Sequence, residues 1–192
     1  MNSGRLKFLF IVLVFAVPFI YSYILINENN SGKKLPTSNY GKFVDPIVSI
    51  NNILYLDFFN NKINSNSLNG KWTLIYYISK YCDSVCLNNI YLLRQINTAV
   101  GKDMNRVQRV LLIDTSYDSN YIASIKKKYP NLLIIKRKLN KLHNVIKKTK
   151  DYNTDIFIVD PIGNVILKYK KDFNGKKFLK DLKKLLKLSK IG

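Results

Sequence analysis

The sequence predicts an α/β domain, a central mixed sheet flanked by helices, carried behind an N-terminal transmembrane helix. Three observations support this. Phe8 to Ile26 is a run of nineteen residues without a charge, close to the ~20 that a helix needs to cross a bilayer. Beyond it, short β-branched and aromatic runs alternate with stretches whose apolar residues recur every three or four positions, the signature of alternating strands and helices. The only two cysteines, Cys82 and Cys86, follow directly on one of these strands.

Arg5 and Lys7 precede the apolar run, and Asn27, Glu28, Asn29 and Asn30 follow it. The positive-inside rule then leaves residues 1–7 in the cytoplasm, 8–26 as the membrane anchor, and everything beyond on the other side. The run exceeds the roughly 7–15 residues of a signal-peptide core, and no small-x-small site follows Tyr21 to Ile26, so an uncleaved anchor is the preferred reading. Residues 27–45, polar with Gly32, Pro36 and Gly41, read as a spacer, and residues 46–192 as the domain.

Lys and Arg number 32 against 12 Asp and Glu, a formal charge of +20. The positive residues are spread along the chain and no nucleic-acid-binding module is recognisable, so no nucleic acid partner is expected. Attraction to an anionic membrane surface is the more direct consequence of this charge.

In chain order, Ile47 to Phe59 carries apolar residues in short alternating pieces and is read as an N-terminal hairpin. Asn60 to Gly70 is rich in turn residues. Trp72 to Ser79 is a buried strand, and Ser84 to Val100 a helix that Gly101 ends. Val107 to Ile113 is a second strand closing on Asp114, and strand, helix, strand over this distance implies a right-handed parallel crossover. Asp118 to Lys128 is a helix, Leu132 to Ile135 a short third strand, and Leu139 to Lys148 a further helix. Ile156 to Asp160 and Val165 to Tyr169 flank the turn Pro161-Ile162-Gly163-Asn164 as two antiparallel strands. Phe178, Leu179, Leu182, Leu185 and Leu186 form the apolar stripe of a last helix, expected to pack on the sheet with lysines outside. This order is that of a thioredoxin-like fold, with helices on both faces of the sheet.

Helix geometry would put Cys82 and Cys86 on the first turn after the central strand, where free N–H groups and the helix dipole lower a thiol pKa. That suits metal ligation or disulfide chemistry, and an extracytoplasmic location permits a reversible disulfide. Positions i and i+4 place the α-carbons about 6 Å apart, within disulfide range. Two buried, inert cysteines are the plain alternative. Asp114 is read as capping a turn through Ser116 or its own side chain rather than adjusting the dithiol, and Tyr81 as a loop aromatic.

The segments LIYYISKYCDSVC, VLLIDTS and IFIVDPIGNVILKY, together with the anchor, make the chain resemble the Sco/SenC/PrrC group of membrane-anchored thioredoxin-fold proteins over roughly residues 70–170. GKDMNRVQRVLLID and LKDLKKLLKLSKIG look like a small bacterial branch associated with cytochrome oxidase assembly. The resemblance implies an accessory protein of cytochrome c oxidase assembly, single-pass in a bacterial inner membrane with a periplasmic domain. Its partners would be an oxidase subunit or another assembly factor. It further implies Cu(I) held by the thiolates of Cys82 and Cys86, or reduction of the oxidase's cysteines by them.

The family's third copper ligand is a histidine, and Tyr152 stands at its position. The sole histidine, His143, lies nine residues earlier and is read as a packing or solvated side chain rather than a ligand. Asp83 and Leu87 replace the prolines usual after each cysteine. Two other readings stay open: a periplasmic thiol–disulfide oxidoreductase in which Cys82 attacks and Cys86 resolves, and a non-catalytic scaffold with a structural disulfide. A single histidine and the lack of G-x-G-x-x-G, Walker and G-x-S-x-G motifs set aside zinc hydrolysis, dinucleotide binding, phosphate-loop and serine-hydrolase chemistry.

Overall fold

The structure is a computed structural model that describes residues 3–30, 37–50, 55–57, 62–63, 68–78, 82–113, 118–136, 156–189 and 191. It divides into two units, Met1–Ser38 and Asn39–Gly192. The first is built on α1 (Ser3–Asn30), whose Ser3–Asn27 portion is long and apolar enough to cross a membrane. Pro18 sits inside it without ending it, which the surroundings of a membrane helix tolerate.

The second unit holds a six-stranded sheet in the order β1-β8-β7-β4-β5-β6. Its strands are β1 (Lys42–Ser49), β4 (Trp72–Ile78), β5 (Val107–Ile113), β6 (Leu132–Lys136), β7 (Ile156–Val159) and β8 (Asn164–Tyr169). Strands β4, β5 and β6 run parallel; β7 pairs antiparallel with β4, β8 with β7, and β1 with β8. Two short strands, β2 (Tyr55–Leu56) and β3 (Lys62–Ile63), form a separate pair.

Every residue of β4 is buried, as a central strand covered on both faces should be. Its side chains divide by the period of two. Trp72, Leu74, Tyr76 and Ile78 join one core cluster, Ile75 and Tyr77 the other. Helices α2 (Ser84–Ala99), α3 (Ser119–Lys128) and α4 (Gly175–Leu188) send their buried residues into the first cluster. Among the described residues the domain's three α-helices thus pack on one face of the mixed sheet. β4, β5 and β6 succeed one another in the same direction across the sheet, and two right-handed crossovers in one direction lay α2 and α3 on the same face. The helix expected over 139–148 lies outside the described residues.

The second cluster also takes in Val44, Val48, Ile50 and Leu68. This corrects the reading of the N-terminal part. Among the described residues, Ile47 to Ser49 belong to β1, which extends the main sheet on the free edge of β8, while Tyr55 and Leu56 of β2 pair with β3 and not with β1. The strand starts at Lys42, inside the stretch read as spacer. Only Val44 and Val48 of its eight residues are buried, because an edge strand presents one side to solvent, so its composition looks like a linker's.

The last helix behaves as its stripe predicts. Phe178, Leu182 and Leu186 are buried, and Phe178 packs against the rings of Tyr169 and Phe173 at centroid distances of 4.4 and 5.2 Å. Between them lies a residue the stripe did not announce: Asp181, 1% exposed. Its Oδ2 accepts from the backbone N–H of Tyr40 (2.8 Å) and Gly41 (2.9 Å) and from the Tyr169 hydroxyl (2.6 Å). A buried charge needs such partners. Burial, then the bond to Asp181, pushes the Tyr169 phenol far above its ordinary value.

Candidate dithiol site

The site starts where β4 ends. Asp83 is the N-cap of α2, its carboxylate accepting the Cys86 N–H at 2.9 Å, which satisfies one of the donors a helix start leaves open. Cys86 is therefore the third helical residue, and Cys82 lies one residue before the cap. The two do not share a helical turn, as the spacing had suggested; the cap residue between them turns the chain. They are joined in a disulfide with α-carbons 5.1 Å apart, inside the ordinary range.

The two cysteines differ in burial. Cys86 is 4% exposed and belongs to the core cluster, while Cys82 is partly buried and packs against it. In a dithiol of this kind the accessible sulfur meets a partner and the buried one closes the ring.

Two side chains that sequence reasoning missed hold the site. The Tyr121 hydroxyl, on α3, donates to the Cys82 carbonyl at 3.1 Å; Asp118 caps α3 by accepting from the N–H groups of Asn120 and Tyr121. Asn89, 3% exposed on α2, donates to the Tyr76 hydroxyl (3.3 Å) and to the Lys171 carbonyl (2.9 Å). It thereby ties the cysteine helix to β4 and to the turn before α4. Burial raises the Tyr76 pKa; the Asn89 bond opposes this and the Asp83 charge adds to it. The one signal for Asn89 was a polar residue on the helix face that also carries Cys86, Ile90 and Leu93. For Tyr121 the sequence carried none, since its partner is 39 residues away.

Asp160, of the matching segment IFIVDPIGNVILKY, is a turn residue. Its carboxylate accepts from the N–H groups of Ile162 and Asn164 and from the Asn164 amide, and Gly163 adopts φ +88°, a left-handed conformation suited to glycine. Because β7 runs opposite to β4, this turn closes the end of the sheet away from the cysteines.

His143, Tyr152, Tyr81 and Asp114 lie outside the described residues. The strand ends flanking three of them are fixed, however. Ile113 pairs with Ile78 and Lys136 with Ile113, and Ile156 pairs with Tyr76. The segment that carries Asp114 therefore departs from the sheet end that launches the cysteine turn and leads to α3, and the one that carries His143 and Tyr152 departs from that end and returns to it. Among the described residues, no group of three or more His, Cys, Asp or Glu side chains is placed to hold a metal.

Residues 72–189 match the family described as "Transmembrane-like, thioredoxin-like, C-terminal domain". No curated protein matches the chain. Among solved structures, the chain is similar to Arabidopsis thaliana ScoI with copper bound (14% identity, TM-score 0.57), covering 78% of this chain and 99% of that one. It is also similar to apo Sco1 from Thermus thermophilus (15%, TM-score 0.59, 77% and 97%). A thiol:disulfide interchange protein from Bacteroides sp. is a further neighbour (17%, TM-score 0.50, 80% and 95%). At these identities the likeness carries the thioredoxin-like fold.

Proposed function

The chain belongs to the family of transmembrane-like, thioredoxin-like C-terminal domains, and from that premise we propose that it is a membrane-anchored, Sco/SenC-like accessory protein of cytochrome c oxidase assembly. α1 is its anchor, the N-terminus is cytoplasmic and the domain periplasmic. Cys82 and Cys86 serve copper-centre maturation, by thiol reduction or by handling Cu(I). Its partner is an oxidase subunit or another assembly factor. The observation that carries the reading is the disulfide between Cys82 and Cys86 at the start of α2, with Cys86 buried and Cys82 only partly buried.

As a reductant, the reduced protein attacks a partner's disulfide with the Cys82 thiolate. This forms a mixed disulfide and releases one partner thiol. Cys86 then attacks Cys82 Sγ and releases the second. Two electrons and two protons pass to the partner, and this protein is left in the disulfide form described above; a dithiol protein must reduce it before another cycle.

As a cargo carrier, the reduced pair offers two soft thiolates to Cu(I). The 5.1 Å separation of the α-carbons suits both sulfurs reaching one ion. Tyr152, where the family pattern has a histidine, supplies a hard oxygen that suits Cu(I) poorly, so the reading rests on two sulfur ligands.

A Cu(I) competition titration of the reduced full chain in detergent tests this, against the Cys82→Ser, Cys86→Ser double variant. One-to-one binding lost in the double variant supports Cu(I) handling. Equal binding by both proteins removes copper and leaves thiol exchange. Either serine substitution alone is expected to abolish function in cells, and a fully active single variant overturns both routes. A general thiol–disulfide oxidoreductase is the second reading, favoured by the same asymmetry of the two sulfurs; a measured reduction potential and activity on unrelated disulfide substrates distinguish it.

A further inference from the structure

The Leu and Phe stripe of α4 is spent on the core, and what this leaves outside is one sign of charge. Lys176, Lys177, Lys180, Lys183, Lys184 and Lys187 are all exposed. The helix's only acid, Asp181, is buried under it. Among the described residues from 170 to 191, Asp172 is the one exposed acid. The far end of α4 adds two exposed apolar side chains, Leu188 (74%) and Ile191 (59%). It is held in shape by Arg106, which donates to the carbonyls of Leu186, Ser189 and Ile191.

The chain that leads in from α1 arrives on this same helix. Tyr40 and Gly41 are hydrogen-bonded to Asp181, and the Lys177 and Lys180 ammonium groups lie 5.2 and 5.6 Å from the centroid of the Tyr40 ring. Residues 31–41 are all that separate the end of α1 from the start of β1, a reach of at most about 40 Å when fully extended. A bilayer crossed by α1 is thus present at high effective concentration.

We propose that the lysine face of α4 is a second membrane attachment, resting on anionic phospholipid headgroups of the bilayer that α1 crosses. Clustered lysines beside a membrane anchor are what anionic headgroups attract. Burial of the stripe excludes insertion of the helix itself, so the contact is one of charge with a small apolar tip. The inference rests on the reading of α1 as an anchor.

The test uses the full chain reconstituted into vesicles of phosphatidylcholine alone, or with a third of phosphatidylglycerol. A membrane-impermeant lysine-acylating reagent is applied and labelling rates are read peptide by peptide. The α4 lysines are expected to react at least fivefold more slowly in the anionic vesicles, with the difference lost in high salt. Lys127 on α3 is expected to change less than twofold. Substituting Lys176, Lys180, Lys183 and Lys187 by Gln should abolish the lipid dependence at Lys184. Equal α4 rates in both vesicles overturn the proposal, as does equal slowing at Lys127, or protection that requires added RNA or an acidic protein. Retention of the protein through an alkaline wash reports α1 separately. Loss from both vesicle types defeats the anchor, whereas retention with unchanged α4 labelling defeats the α4 contact alone.

Discussion

Replacing Asp181 by alanine should be among the most damaging single changes in the domain. Three donors converge on its Oδ2: two backbone N–H groups at 2.8 and 2.9 Å and a hydroxyl at 2.6 Å. A hydrogen bond to a charged acceptor contributes roughly 1.5–3 kcal/mol, and a buried donor left without a partner costs about 1–3 kcal/mol. Removing the carboxylate also relieves its own desolvation, which offsets part of the loss. The net destabilisation is then about 3–5 kcal/mol, a large share of the roughly 5–15 kcal/mol that holds a domain folded. At about 2–4 °C per kcal/mol for a chain of this size, the melting temperature should fall by roughly 6–20 °C. The assay is urea unfolding of a fragment from about residue 35 to Gly192, followed by the fluorescence of the single tryptophan, Trp72, which is 3% exposed. Tyr169→Phe, which removes one of the three donors, should lose about 1.5–3 kcal/mol, and Lys183→Ala on the exposed face less than about 0.5 kcal/mol. A loss for Asp181→Ala no larger than that of Lys183→Ala would refute the assignment of Asp181 as the clasp between the N-terminal segment and α4.

The same tyrosine gives a pH signature. Its folded pKa is raised above the unfolded value, so its contribution to stability is complete below the unfolded value of 10.0 and declines as pH rises beyond it; the alkaline loss of stability should be shallower in Tyr169→Phe, and identical curves would contradict this. At the site, Tyr121→Phe removes the bond to the Cys82 carbonyl seen in the disulfide form. At about 1 kcal/mol the reduction potential should rise by roughly 20 mV, and an unchanged potential in a glutathione titration would show that the bond is equally good in both redox states. In the reduced protein, iodoacetamide should modify Cys82 at least about tenfold faster than Cys86, since reactivity follows thiolate access; equal rates by peptide mass spectrometry would contradict the burial difference.

The parts of this fold that the sequence made legible are those whose pattern is local. β4 and β5 are continuous apolar runs because both faces are covered, the β7–β8 hairpin is marked by Asp160-Pro161-Ile162-Gly163, and α2 begins beside its cysteines and stops at Gly101. What was missed depends on partners far along the chain. β1 is an edge strand with two buried residues, so its alternation is faint and its polar side reads as a spacer. Asp181 looks like a lysine's partner on a charged helix until Tyr40, Gly41 and Tyr169 are brought to it by the β1–β8 pairing. Tyr121 becomes part of the dithiol site only because two same-handed crossovers set α3 beside α2. Both cysteines were found from their place after the central strand, but their helical positions were off by the length of the cap: the sequence offers Asp83 as a replaced proline, and the fold uses it as the residue that separates the two sulfurs.

The hydrogen bonds of Tyr40 and Gly41 also determine how the domain answers to force. Tension applied through the N-terminal segment meets Asp181 before it meets the first β1–β8 pair, Lys42 with Lys168. The pull therefore passes into α4, which is packed on the core through Phe178, Leu182 and Leu186, and not onto the outermost strand alone, which would otherwise peel away one hydrogen-bonded pair at a time.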